Sequence, residues 1–284
     1  MFLQQRKQKR SNLLKSTVLE KSTVLFCINK SLFLKISLKK NLCGDIIVTT
    51  GYIRTGAFIM DIIKKSPFPE KVGKADFKDE PLVSVGQYFG KRIFIEPVYY
   101  NKGIGGAISD MKLRKSVVER LENALDNLPC GLTFKIFDAW RPIEVQQALF
   151  DSYYKKVLSE HPDYSEEKLT EETRKFVSVP SYDECNPSVH NTGGAVDLTV
   201  VCKESGKALD MGTEFDDFSE KANTCYFEEN FSKEIAENRR ILYYAMTNAG
   251  FTNLPTEWWH YDFGTAFWSF YTGKPAMFKG ILNK

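Results

Sequence analysis

The sequence predicts an α+β chain, and three observations carry that expectation. Apolar residues recur at helical spacing from Leu113 through Val117, Val118, Leu121, Leu125 and Leu128, the stripe that an amphipathic helix turns toward a core. Residues 165–175 read as a polar, Glu-rich helix and residues 232–248 as another, capped by Ser232. Three short runs, at residues 132–138, 195–201 and 258–263, have the apolar, alternating or aromatic character of strands.

From the N-terminus, residues 1–59 form a basic extension. Residues 1–42 carry Arg6, Lys7, Lys9, Arg10, Lys15, Lys21, Lys30, Lys35, Lys39 and Lys40 against the single acid Glu20, and no proline precedes Met60. Lys15-Ser16-Thr17-Val18-Leu19 recurs as Lys21-Ser22-Thr23-Val24-Leu25. This composition predicts a poorly ordered segment, or a start assigned upstream of Met60; lysines interleaved with Leu, Ile and Phe also suit an anionic membrane surface. Residues 60–284 have ordinary globular composition and are expected to form one domain.

Within that domain Ser109 is placed to cap the first helix and Pro129 to close it. The strand at residues 132–138 runs into Ala139-Trp140-Arg141-Pro142, where Pro142 suits the first turn of a helix reaching about Tyr154. Arg141 therefore stands at a strand-to-helix junction. In residues 195–201, Val196, Leu198 and Val200 face one way, and Ala195, Asp197 and Thr199 the other. His190 precedes this strand in a glycine-containing loop. Gly250 ends the helix that begins at Ser232, and the Pro255-Thr256 turn leads to the last strand with Glu257 at its mouth.

Composition narrows the function classes. Thirty-nine Lys and Arg against thirty-six Asp and Glu leave a formal charge of +3, too balanced for a nucleic-acid partner. Six cysteines with no C-x-x-C pair read as reduced thiols of a cytoplasmic protein, a periplasmic or envelope location being the alternative. No apolar run approaches the roughly 18 residues of a membrane span, so stable membrane insertion is not expected.

Two of the three histidines lie in metal-ligand contexts, Ser188-Val189-His190-Asn191-Thr192-Gly193-Gly194-Ala195-Val196-Asp197 and Glu257-Trp258-Trp259-His260. A catalytic zinc takes three protein ligands and leaves a position open; His190, Asp197 and His260 fill that requirement. A carboxylate that is not itself a ligand then handles the proton, and Glu257 suits the task. On a regular strand Glu257 and His260 would face opposite sides, so only a turn or bulge lets both approach one centre. His161 reads as structural, Trp258 and Trp259 as core, and the glycines at 103–106 and 193–194 as loops without a phosphate-binding pattern.

Ser188, His190, Gly193, Ala195 and Asp197 match S-x-H-x-x-G-x-A-x-D, and Glu257-Trp258-Trp259-His260 matches E-x-W-H. In both signatures the chain resembles the zinc D,D-peptidases related to the vancomycin-resistance D-alanyl-D-alanine dipeptidase. Asp138-Ala139-Trp140-Arg141-Pro142, residues 211–216, Asn238-Arg239-Arg240 and Ala249-Gly250-Phe251 extend the likeness across roughly residues 80–265. The resemblance implies helices around a small antiparallel sheet, a fold shared with a hedgehog signalling domain. It also implies one zinc ion per chain and a small dipeptide substrate, D-alanyl-D-alanine, cut into two D-alanines. Arg141 would stabilise the developing oxyanion, Asp216 would bind the substrate ammonium and Ser188 would lie near the substrate. Val189 departs from the family, which has a second serine there, and residues 86–100 match only loosely. A D,D- or L,D-carboxypeptidase acting on peptidoglycan peptides and a non-catalytic zinc-binding module are the alternatives; Glu257 and Arg141 argue against the second.

Overall fold

The computed structural model of the chain describes residues 22–29, 32–40, 46–54, 60–69, 74–229 and 232–282. The chain forms two compact units, Met1–Ile59 and Met60–Lys284. In the first, β1 (Ser22–Asn29), β2 (Leu32–Lys40) and β3 (Ile46–Arg54) form an antiparallel sheet in that order. β1 and β3 carry several β-branched residues, which favour strands, and β2 alternates Leu, Phe and Ile with polar residues. Residues 1–21, with the first copy of the duplicated Lys-Ser-Thr-Val-Leu, lie outside the described residues.

The second unit is α+β. In chain order it contains β4 (Leu82–Ser84), α1 (Val85–Phe89), β5 (Phe94–Ile95), α2 (Val98–Asn101), β6 (Lys112–Arg114), α3 (Lys115–Asp126) and β7 (Leu132–Asp138). Then follow α4 (Ile143–Glu160), α5 (Glu166–Thr173), β8 (Ala195–Cys202), α6 (Tyr226–Glu229), α7 (Lys233–Asn248), β9 (Thr252–Asn253), β10 (His260–Asp262) and α8 (Ala266–Thr272). The central sheet has the order β5-β7-β8-β10-β9, and β4 pairs with β6 in a separate ribbon. Every pairing in the central sheet is antiparallel except β5 with β7. The sheet is antiparallel as expected apart from that edge, where α2, β6 and α3 lie between β5 and β7 in the chain and such a crossover can return a strand in the parallel sense.

Two element boundaries also differ from the sequence reading. The helix expected from Ser109 starts at Lys115, because residues 112–114 pair with β4. Leu113 is fully buried from that strand, and its spacing of four from Val117 imitates one helical turn. The strand expected over residues 258–263 is confined to His260–Asp262. The residues before it turn, with the amide of Glu257 donating to the Leu254 carbonyl (3.0 Å) and that of His260 to the Glu257 carbonyl (3.3 Å).

Phe134, Ile136, Val196, Leu198 and Val200 of β7 and β8 join Val117, Leu121, Leu242 and Met246 of α3 and α7 in one apolar cluster. Trp258 and Trp259 belong to the same core. Strand β8 is buried from Ala195 to Val201, so the face opposite Val196 and Leu198, which carries Asp197, is also shielded from water.

Helix α7 also clamps the loop between β8 and α6. Arg239, almost wholly buried, donates from Nε to the Met211 carbonyl (2.8 Å), from Nη1 to that of Asn223 (2.6 Å) and from Nη2 to that of Lys221 (2.7 Å). The Asn238 amide adds a bond to the Asp210 carbonyl (2.9 Å). Burial lowers the Arg239 pKa to about 10, so the group stays charged at neutral pH. Replacing Arg239 by Ala strands one buried and two part-buried carbonyls and is expected to cost about 2 kcal/mol or more, measured by urea unfolding. A loss below about 1 kcal/mol would show that the loop holds itself, since buried unsatisfied groups cost at least that each.

Candidate functional site

Strand pairing brings the site together. His260 of β10 stands directly opposite Asp197 of β8. On the other side of β8, the β7 register shifts between Ile136 and Asp138, which sets Asp138, rather than Phe137, opposite Asp197. A bulge of this kind re-aims a side chain to the other face of a sheet. His190 comes from a 3-10 turn at Val189–Thr192 that ends on Gly193. Gly193 has φ 74°, and a Cβ there would meet the Leu82 side chain at 2.6 Å, so the position favours glycine. Arg114 anchors the turn through Nε to the Thr192 carbonyl (2.8 Å) and through its amide to that of Gly193 (2.9 Å).

The hydrogen bonds around the two imidazoles define which nitrogens face inward. His190 Nδ1 lies 2.8 Å from the Ala139 carbonyl oxygen, which can only accept, so Nδ1 carries the proton and Nε2 is the acceptor. His260 Nε2 donates to Asp262 Oδ2 (2.8 Å), whose Oδ1 accepts from Thr265 Oγ1 (2.7 Å), and His260 Nδ1 is left as the acceptor. These two lone pairs face each other at 3.1 Å. Asp197 Oδ1 lies 3.0 Å from His260 Nδ1, and Oδ2 lies 3.3 Å from His190 Nε2. With both rings neutral three acceptors converge, and either a proton on His260, which Asp262 and Asp197 favour, or a metal cation at the centre meets them; two imidazoles with one carboxylate are the ligand chemistry of zinc. All three side chains are buried.

Arg141 reaches the same point from the junction before α4. Its Nε donates to Asp138 Oδ2 (2.8 Å) and its Nη1 to Gln146 Oε1 (2.8 Å), while Nη2 lies 3.6 Å from Asp197 Oδ2. The Gln146 amide also donates to the Ser178 carbonyl (2.7 Å). Two edges of the guanidinium fork are thus committed and the third faces the site.

Glu257 Oε2 stands 4.0 Å from His260 Nδ1, with a quarter of its side chain (25 %) exposed. Burial pushes its pKa up to about 7, with His260 opposing and Asp197 and Asp216 reinforcing the shift. Burial also acts to raise Asp197, but His190 and His260 outweigh it and hold that carboxyl below the usual range. The two acids therefore differ in role: one stays ionised between the histidines, the other exchanges a proton near neutrality. Asp216 accepts from the Tyr99 hydroxyl (3.1 Å) and faces Lys102 Nζ at 3.7 Å. Burial, reinforced by Asp197, raises it to about 6. Asp216 also has φ 63°, the one positive φ outside glycine among the described residues, a strain that a clamped loop sustains.

His190, Asp197, His260, Glu257, Arg141, Asp216, Ser188 and Val189 all line one cavity. Ser188 Oγ is buried without a hydrogen-bond partner. His161 is exposed and stacks on Tyr164 (4.5 Å). Sequence reasoning missed four contributors: Tyr99, Asp138, Gln146 and Asp262. Asp138 and Asp262 carried a signal: Asp138 opens the Asp138-Ala139-Trp140-Arg141-Pro142 match, and Asp262 follows His260 by the two positions that return a strand to the same face. Tyr99 and Gln146 had none, since Tyr99 meets Asp216 across 117 residues of chain.

A family model described as D-ala-D-ala dipeptidase matches residues 112–274. A D-alanyl-D-alanine dipeptidase from Synechocystis sp. is 29% identical over 177 residues, 55% of this chain and 71% of the relative. One from Escherichia coli is 31% identical over 134 residues, 46% of this chain and 55% of the relative. One from Enterococcus faecium is 38% identical over 74 residues, 26% of this chain and 36% of the relative.

Two outcomes follow from the geometry. Asp262→Ala frees the outer nitrogen of His260 and should weaken zinc binding about 10- to 100-fold, read by competition with a chromophoric chelator; undiminished affinity would show that the imidazole is oriented otherwise. Asp216 has a folded pKa of about 6, above its ordinary 3.8, so the folded state binds the extra proton and stability falls as pH rises between those values. Above pH 6 the whole penalty is present. Asp216→Asn should therefore stabilise the metal-stripped protein at pH 7, by up to about 3 kcal/mol, and give no gain at pH 3.5; urea unfolding at the two pH values decides.

Proposed function

This chain belongs to the D-Ala-D-Ala dipeptidase family of peptidases, and we propose that it is a zinc enzyme hydrolysing D-alanyl-D-alanine to two D-alanines, with Glu257 as general base. The observation that carries this reading is the convergence of three acceptors, on His190, Asp197 and His260, with a fourth, proton-exchanging carboxyl 4.0 Å away in the same cavity. Zinc held by those residues would supply Lewis acidity toward the peptide carbonyl and toward water.

The chain's own groups account for the remaining steps. Asp216 pairs with the free ammonium of the substrate and so selects unblocked dipeptides. Ser188 Oγ, otherwise unpartnered, offers a hydrogen bond to the peptide. Glu257 takes the proton of the attacking water and passes it to the leaving amine; a pKa near 7 suits both transfers. Arg141 presents Nη2 to the carbonyl oxygen as negative charge develops, its orientation held by Asp138 and Gln146.

Among the described residues no helix is long and apolar enough to cross a membrane, and Cys130, Cys185, Cys202 and Cys225 are free thiols. We place the enzyme in the cytoplasm, where such thiols stay reduced.

Release of D-alanine from D-Ala-D-Ala by the zinc-loaded protein, abolished by a chelator, is expected, with no release from the N-acetylated dipeptide. Cleavage of the acetylated form would make the protein a carboxypeptidase, and cleavage of neither a non-catalytic zinc-binding module. Glu257→Ala should retain zinc by elemental analysis yet lower kcat by a factor on the order of 100 to 10,000; near-normal turnover would sink the assignment of the base.

A further inference from the structure

The catalytic cavity is larger than two alanines fill. It encloses about 390 Å³, within the size range of pockets that take drug-sized ligands. Tyr153, Phe176 and Phe218 line it together. Their rings touch, with centroids 5.2 Å apart for Tyr153 and Phe176, 5.0 Å for Tyr153 and Phe218, and 5.8 Å for Phe176 and Phe218. Phe176 remains 40% and Phe218 36% exposed. An aromatic collar continuous with a reaction centre gains free energy when a ligand covers it.

A charge stands beside the collar. Lys156 lines the same cavity with Nζ 5.2 Å from the Tyr153 ring centroid. Two other cations, Lys102 and Arg141, line it; Lys102 faces Asp216 at 3.7 Å and Arg141 is held by Asp138 at 2.8 Å. Lys156 makes no ion pair among the described residues, while a free dipeptide brings one ammonium and one carboxylate. With Asp216 matched to the ammonium, the carboxylate has Lys156 as its cation.

We infer that the C-terminal residue of the substrate lies along this wall, its carboxylate toward Lys156 and its side chain on the Tyr153–Phe176–Phe218 collar. Free dipeptides ending in a bulky apolar residue are then better substrates than D-Ala-D-Ala. The inference rests on the dipeptidase reading. It concerns only which side chain the site accepts.

The test compares kcat/KM for D-Ala-D-Ala, D-Ala-D-Phe and D-Phe-D-Ala in the zinc-loaded wild type and in a Phe176→Ala, Phe218→Ala double variant. The expected order has D-Ala-D-Phe first, with D-Phe-D-Ala poorer by about tenfold, the scale on which pockets discriminate apolar groups. In the double variant the ratio of kcat/KM for D-Ala-D-Phe to that for D-Ala-D-Ala should fall about tenfold, through KM. Retained D-Ala-D-Ala cleavage also certifies that the variant is folded. Lys156→Gln should raise KM for both C-terminal residues alike. The inference is overturned if the wild type cleaves D-Ala-D-Ala but handles D-Ala-D-Phe less well, if D-Phe-D-Ala is preferred, or if the double variant leaves the ratio of the first two unchanged. Failure to cleave any of the three would instead overturn the dipeptidase reading beneath it.

Discussion

Burying a carboxylate between two imidazole lone pairs is costly, and the organisation of the second unit follows from meeting that cost. Asp197 occupies the middle strand of the central sheet, with the Asp138 and His260 strands on either side. The outer nitrogens of both imidazoles are tied to the Ala139 carbonyl and to Asp262, so the inner nitrogens cannot rotate away. The strain of converging acceptors is relieved only by positive charge at their centre. Burial opposes a charged His260, yet Asp262 and Asp197 overcome it and raise that pKa well above the ordinary value, which expresses the same preference for a cation.

The residues around this centre are held from separate parts of the chain. Asp138 holds Arg141 and approaches His190 Nδ1 at 3.4 Å, so one carboxylate orients groups on both sides of the site. Gln146 fixes Arg141 from α4 and at the same time bonds the carbonyl of Ser178, linking the guanidinium to the segment that carries Phe176. Arg239 acts at a distance by fixing both ends of the loop on which Asp216 adopts its strained conformation. Removing water from these polar groups is tolerable because nearly every buried donor and acceptor has a partner; Ser188 Oγ, in the cavity wall, is an exception.

Much of this was legible before any coordinates. The two motifs named His190, Asp197, His260 and Glu257, because metal chemistry restricts ligand types and a strand fixes which neighbours share a face. Pro142 after Arg141 marked the junction that aims the guanidinium. Legibility failed where two patterns coincide: Leu113 sits one helical turn before Val117 and so was read into a helix that begins only at Lys115. It failed also where irregularity matters, since neither the register shift in β7 nor the turn at residues 254–260 leaves a compositional trace.

What the sequence alone determined was the class of the domain, its core stripes and the candidate residues of its two motifs, His190, Asp197, Glu257 and His260. The tertiary structure alone decided that Tyr99 and Gln146 belong to the site, that Glu257 and His260 approach one point and that Tyr153, Phe176 and Phe218 wall a single cavity. The physical reason is range. Residue type and local periodicity record what a side chain can do and which way its own element turns it, whereas contacts between residues far apart in the chain exist only after the sheet has closed around Asp197.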